Sequence, residues 1–133
     1  MSIARHIPTV LRFIYGIPLV LFGAMDLFHP MTPPPGMPAA ALHFSQALGE
    51  SGYMMPMIGI VLLVGGVLVV ANRFVPLALL LLAPFWVNSA LFHTFLERSG
   101  LPMVAVFVAL ELYMAWQHRG AFAAVLKARN PTT

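Results

Sequence analysis

The chain has 133 residues, 60% of them hydrophobic and 8% charged, and its formal net charge is +3 at pH 7. Soluble domains carry roughly 25% charged residues. Seven basic and four acidic side chains cannot cover a soluble domain of this size, so the composition excludes an ordinary soluble enzyme, a disordered chain and a nucleic-acid-binding module. The lack of cysteine also excludes disulfides, thiolate nucleophiles and Cys-ligated metal centres. These figures favour a single membrane domain over residues 1–133.

Four apolar segments are long enough to form membrane-spanning helices, which need about 20 residues each. They cover approximately residues 10–28, 53–71, 75–95 and 101–117. Pro76 and Pro102 fall at the first turn of the third and fourth segments, where a missing N–H costs nothing. The fold class that we predict is all-α, an integral membrane four-helix bundle. No small-x-small cleavage site follows the first segment at the right distance, so we expect it to be a span and not a cleaved signal peptide.

A longer loop, residues 30–52, joins the first and second segments. It contains the run Thr32–Gly36, whose three consecutive prolines favour a stiff polyproline-II conformation. The stretch Pro38–Leu48 that follows has apolar residues at Leu42, Phe44 and Leu48. It is predicted to form a short interfacial helix that lies on the bilayer surface.

The basic residues predict the orientation of the spans, because Lys and Arg accumulate in cytoplasmic loops. With the N-terminus in the cytoplasm, six of the seven Lys and Arg residues fall on the inner side and only Arg98 falls on the outer side. We therefore expect a multi-pass membrane protein with both termini in the cytoplasm and the Pro-rich loop outside.

One face of the first span carries most of its polar and small residues. Arg12, Leu19 and Asp26 form one row at intervals of seven, Tyr15, Phe22 and His29 form the adjacent row, and Gly16 and Gly23 lie between the rows. The spacings of three, four and seven residues place them on one side of a helix. We expect this face to be buried, with the glycines allowing close approach of a second helix.

A polar site inside the bundle is predicted at Arg12, Asn88 and Glu111. At a rise of about 1.5 Å per residue, Glu111 and Asn88 fall near the middle of their spans and Arg12 about 5 Å nearer the inner edge. Ionisable groups at this depth are expensive and seek partners. Arg12 and Glu111 could form a structural ion pair, or the Arg12 side chain could extend to the inner headgroups. Alternatively, the site could bind a quinone headgroup, a proton or a small substrate. Pro84, one turn before Asn88, could mark either a site wall or a packing bend.

A second group, Asp26, His29 and His93, falls at the outer mouth of the bundle. We expect Asp26 and His93 to be near neighbours there. The spacing matches no compact metal-ligand motif, and the histidines lie at span ends that suit neither a metal nor a bis-histidine haem. No metal ligand and no catalytic residue is predicted.

Several stretches of the chain resemble the DoxX family of small bacterial membrane proteins. They are RFIYG, FGAMDLF, LLVGGVLVVANRFVPLALLLLAPFWVNSALFH and ELYMAWQHRGAF, and the resemblance runs from about Arg12 to Phe122. Arg12, Asn88, His93 and Glu111 fall within the matching motifs. The resemblance implies a four-helix bundle in the bacterial inner membrane, linked with membrane oxidoreductase systems.

The resemblance implies an accessory or anchoring subunit of such a system, not catalytic on its own, with no intrinsic cofactor and with quinone as a candidate contact. The expected partners are the lipid bilayer and other membrane subunits or further copies of the chain, and not nucleic acid. Two alternatives stay open, a small oligomeric transporter or channel with Glu111 on its path, and a non-catalytic assembly scaffold.

Overall fold

The computed structural model describes residues 2–29, 32–129 and 131–132, and these residues form helices and turns without a strand. Pro30 and Met31 of the predicted outer loop lie outside the described residues. The helices are α1 (Ile7–Phe28), α2 (Ala39–Glu50), α3 (Met54–Val70), α4 (Val75–Phe95), α5 (Leu101–Gln117) and α6 (Arg119–Val125). Short 3-10 turns cover Ile3–Arg5 and Arg98–Gly100.

Proline residues lie in the first turns of three of the helices. Pro8, Pro76 and Pro102 lie in the first turns of α1, α4 and α5, where proline removes an N–H that has no partner in any case. Two prolines are internal, Pro18 in α1 and Pro84 in α4. The helix predicted after the Pro-rich run is α2, and α6 was not predicted.

By length and composition, the described chain has three helices that could cross a membrane, Ile7–Phe28, Val75–Phe95 and Arg98–Gln117. Helices α2 and α3 also satisfy the requirement when they are taken together, but they are bent by 89° at the break between them. The count therefore rises to four if this bent pair provides one span. The chain is all-helical with several helices long and apolar enough for a multi-pass membrane protein.

The most extensive helix contact joins α1 and α3, and α4 packs against both α3 and α5. Gly16 and Gly23 of α1 face Gly66 and Gly59 of α3, so that each glycine lies against the backbone of the facing helix. Of the face predicted to be buried in α1, the two glycines, Tyr15 and Leu19 are buried, whereas Phe22 is 43% exposed and His29 is exposed. Glycine allows this approach because a side chain at these positions would collide with the neighbouring helix.

The turn between α3 and α4 is held by hydrogen bonds from its backbone N–H groups to carbonyl groups of the last residues of α3. Asn72 takes the left-handed conformation (φ 54°), and its N–H donates to the Val69 carbonyl, 3.1 Å away. The Arg73 N–H donates to the Leu68 carbonyl at 3.0 Å. These two bonds form a Schellman motif, in which asparagine can replace the usual glycine. The motif fixes Asn72 at the end of the helix pack where α1 begins.

Candidate functional site

A hydrogen-bonded chain of three side chains joins α1, α4 and α5 in the core. The Tyr15 hydroxyl donates to the Glu111 carboxylate, and the Trp86 indole N–H donates to the Tyr15 oxygen at 2.7 Å. Tyr15 is 0% exposed and Glu111 is 8% exposed. Each helix contributes one polar group, so the chain fixes the three helices relative to one another.

Aromatic rings surround this chain. The Trp86 ring stacks on Phe107, with 5.1 Å between centroids, and Phe85 meets Trp86 edge-on at 5.0 Å. Tyr15 lies 6.1 Å from Phe107. The rings exclude water from the Tyr15 hydroxyl, which strengthens its bond to Glu111 and raises the cost of breaking it. Chemically, the arrangement can hold a proton at a fixed position between Tyr15 and Glu111.

A polar pocket of about 250 Å³ lies one turn from this chain, at the end of the helix pack where α1 begins. We call it the Arg12 pocket. Its lining comes from the first turns of α1, the α3–α4 turn and the end of α5, and comprises Pro8, Arg12, Asn72, Val75, Met114, Gln117 and His118. The Arg12 Nε is buried and has no hydrogen-bond partner among the described residues. An unsatisfied buried donor is costly, but this nitrogen is enclosed by protein and does not face the open space of the pocket. What Arg12 offers a ligand is the rest of its guanidinium, which lines the pocket and favours a ligand that carries an acceptor.

Two further side chains in the Arg12 pocket have defined hydrogen bonds. The His118 Nδ1 lies 2.9 Å from the Met114 carbonyl oxygen, and a carbonyl can only accept, so Nδ1 carries the proton and Nε2 of the neutral ring is an acceptor. The Gln117 amide nitrogen donates to the Tyr113 hydroxyl at 3.1 Å, which leaves its carbonyl oxygen as an acceptor. The pocket therefore combines a guanidinium donor with acceptor atoms.

The predicted partnership of Arg12 with Glu111 takes a different form in the structure. The hydrogen bond to Glu111 comes from Tyr15, and no ion pair within 4.0 Å joins Arg12 to Glu111 among the described residues. Tyr15 lies one turn further along α1 than Arg12, and so nearer to the depth of Glu111. Coupling of Arg12 to Glu111 through a water or a bound ligand stays a prediction.

Asn88 was predicted inside the bundle with Glu111, but the structure places it on the exposed surface of α4. Successive helical residues are rotated by about 100°, so Trp86 and Asn88 point in nearly opposite directions. Because the buried side of α4 carries Trp86, Asn88 faces outward. The structure does not bring it to the Arg12 pocket.

At the opposite end of the helix pack, the predicted group of Asp26, His29 and His93 is not held together by an ion pair within 4.0 Å among the described residues. Asp26 packs against Gly59 of α3, and His29 is exposed at the end of α1. His93 instead contacts Glu97, with its Nδ1 3.1 Å from the carboxylate and 2.9 Å from the Glu97 carbonyl.

Glu97 organises the turn between α4 and α5. Its carboxylate accepts hydrogen bonds from the Ser99 hydroxyl and from the backbone N–H groups of Ser99 and Gly100. Donation by the Ser99 hydroxyl is the largest cause that lowers the pKa of Glu97 below its ordinary value. Gly100 is needed here because a Cβ would lie 2.2 Å from the His93 ring.

Sequence reasoning missed the roles of Tyr15, Trp86 and Glu97. For Tyr15 a signal was present, since it shares the polar face of α1 with Arg12. The signal for Glu97 was an acid two and three residues before Ser99 and Gly100, a pattern that caps a turn. In the part of the chain that the structure describes, no group of three or more His, Asp or Glu side chains is placed to hold a metal ion.

The fold and the site together define an all-helical protein with several membrane-length helices, a buried hydrogen-bonded chain and a polar pocket at one end. Comparison with protein-family models, curated proteins and solved structures gives no match.

Proposed function

We propose that the protein is a DoxX-type accessory or anchoring subunit of an inner-membrane oxidoreductase system, and that the Arg12 pocket contacts a quinone headgroup. In this proposal α1, α3, α4 and α5 are four spans of a membrane bundle, with α2 on the outer surface and both termini in the cytoplasm. Support for the family comes from the sequence stretches that resemble DoxX, and support for the orientation comes from the distribution of Lys and Arg.

The observation that carries the quinone proposal is the guanidinium of Arg12, which lines a pocket between apolar helices and has no ion-pair partner among the described residues. A quinone carbonyl accepts a hydrogen bond and carries no charge, so it can enter such a pocket without the desolvation cost of an ion. The His118 Nε2 can accept a hydroxyl proton of the reduced quinol. The pocket volume of about 250 Å³ suits a single ring, with an isoprenoid tail passing outward between helices.

The accessory role is supported by the side chains that the fold exposes. Large apolar residues are exposed along every long helix, including Leu21, Ile60, Leu91 and Leu112, and they suit lipid or the helices of a partner subunit. The cysteine-free chain has no thiol for redox chemistry. Electrons would therefore pass through a bound quinone or a cofactor of the partner.

The test is mild detergent extraction of the tagged protein from its native membrane, followed by identification of bound proteins and of extracted quinone and lipid. We expect a stoichiometric redox subunit and retained quinone. Arg12→Gln should lose quinone while still inserting, whereas the control Arg5→Gln, an exposed arginine outside the pocket, should behave as the parent. Absence of both quinone and a redox subunit contradicts the proposal. Retention of phospholipid alone, lost in Arg12→Gln, would assign the pocket to a lipid headgroup instead.

A further inference from the structure

Helix α4 has an outward stripe with the spacing of a coiled-coil seam. Among the exposed residues of α4, six follow one another at intervals of four and three, namely Leu77, Leu81, Pro84, Asn88, Leu91 and Phe95, and Leu80, Val87 and Thr94 are exposed beside them. This alternation is the heptad pattern in which two helices pack side by side, with Leu81, Asn88 and Phe95 at one set of positions, called a, and Leu77, Pro84 and Leu91 at the second set, called d. No charged residue interrupts the stripe.

Asn88 is the polar exception on this apolar stripe. Its side chain is exposed and makes no hydrogen bond with the residues that the structure describes. An amide that faces lipid leaves its donors and its acceptor unsatisfied, and in membranes such side chains drive helices together by hydrogen bonding across the contact. A partner of this stripe must therefore provide hydrogen-bonding groups at the position of Asn88 as well as an apolar surface.

We propose that this stripe pairs with the same stripe of a second copy of the chain, and that the two Asn88 amides hydrogen-bond to each other across a two-fold axis normal to the membrane. A primary amide carries both donors and an acceptor, so it is complementary to a second copy of itself. Two copies with the same topology are related by such an axis, which places identical residues at identical depth. In parallel pairs the a positions face each other, and a single asparagine at an a position fixes register and oligomeric state.

A different partner would need a side chain that can both donate and accept hydrogen bonds at the depth of Asn88. A second copy of the chain provides such a group, because the two-fold axis places its own Asn88 at that depth. The inference rests on the proposed membrane placement of α4, but it does not depend on the oxidoreductase role or on the Arg12 pocket. The pocket lies among α1, the α3–α4 turn and α5. Loss of quinone binding and loss of pairing are therefore separate results.

The cysteine-free chain allows the contact to be mapped with single cysteines. Leu91→Cys places a thiol on the stripe. Val106→Cys is the matched control, because Val106 lies at a similar distance from the α4–α5 turn on a different helix and is comparably exposed, 56% against 51% for Leu91. Under mild oxidation in membranes, Leu91→Cys should form a disulfide-linked dimer and Val106→Cys should stay monomeric.

The role of Asn88 is measured by energy transfer between donor- and acceptor-labelled copies in lipid vesicles at increasing lipid dilution. Asn88→Leu should weaken association by about 3- to 30-fold, the range for loss of an interhelical hydrogen bond, with the thermal transition of the monomer unchanged. Asn88→Gln keeps the amide and should retain part of the association. The proposal is overturned by monomers at all dilutions, by equal cross-linking at both cysteine positions, by Asn88→Leu associating like the parent, or by a photo-crosslinker at Leu91 that captures another polypeptide in the native membrane.

Discussion

Substitution of Gly23 by alanine should separate α1 from α3. A Cβ at Gly23 would lie 2.5 Å from the Leu63 backbone nitrogen and 2.7 Å from the Gly59 carbonyl oxygen. Ordinary contact begins at 3.4 Å, so the helices would have to move apart by about 0.9 Å, the difference between 3.4 and 2.5 Å. Backbone atoms cannot rotate away as a side chain can. Overpacking of this kind costs about 1–3 kcal/mol.

Gly16→Ala is the matched control on the same face of α1. The nearest atom to its Cβ is the flexible Val70 side chain, and the nearest backbone atom, the Gly66 carbonyl oxygen, lies at 3.3 Å. We expect a smaller loss there. Gly49→Ala in α2 meets no atom within 4 Å and should be neutral or stabilising by up to about 1 kcal/mol, because alanine is the better helix former.

The free energies of unfolding of the three variants can be compared by titration with a denaturing detergent in mixed micelles. The expected order of destabilisation is Gly23→Ala, then Gly16→Ala, then Gly49→Ala. If Gly23→Ala is as stable as Gly16→Ala, the close contact of α1 with α3 is not the one described.

Two further predictions concern the buried chain and the α4–α5 turn. Tyr15→Phe removes the donor to Glu111 and should lower the free energy of unfolding by about 1–2 kcal/mol. The control Tyr113→Phe affects an exposed hydrogen bond and should lower it by less. Equal losses for the two variants in the same unfolding titration would contradict the stabilising role of the Tyr15–Glu111 hydrogen bond. Because the pKa of Glu97 is lowered, its capping of the turn is stabilising above the ordinary carboxyl pKa of about 4.3 and is lost as the pH falls through the lowered value. Ser99→Ala should raise the pKa of Glu97 in a carboxyl NMR titration and open the turn to proteolysis at a higher pH than in the parent, and an unchanged titration would refute the assignment.

The helices were predictable because apolar length and proline position determine them almost alone. The predicted segment 75–95 coincides with α4, and the segment 101–117 with α5. The glycine positions on α1 were also predictable, since the spacing of Arg12, Gly16 and Gly23 follows the helical period.

The partners of individual side chains were less predictable. Arg12 and Tyr15 share one face, and a rise per residue cannot decide which of them reaches Glu111, because the answer depends on side-chain length and on the tilt of α5. Asn88 was expected inside the bundle because it is polar and falls at a depth similar to that of Glu111, but depth along a helix does not determine which side a residue faces. The larger aromatic surface of Trp86, two residues earlier, determines which side of α4 is buried.

The number of spans is the central claim, and labelling of single cysteines with a membrane-impermeant maleimide tests it directly in the cysteine-free chain. If α3 crosses the membrane, there are four spans, so Gly36→Cys should be labelled from outside intact cells and Lys127→Cys only after permeabilisation. If α2 and α3 together do not cross, three spans remain and residue 127 lies on the outer side. Labelling of both cysteines in intact cells would contradict the four-span account.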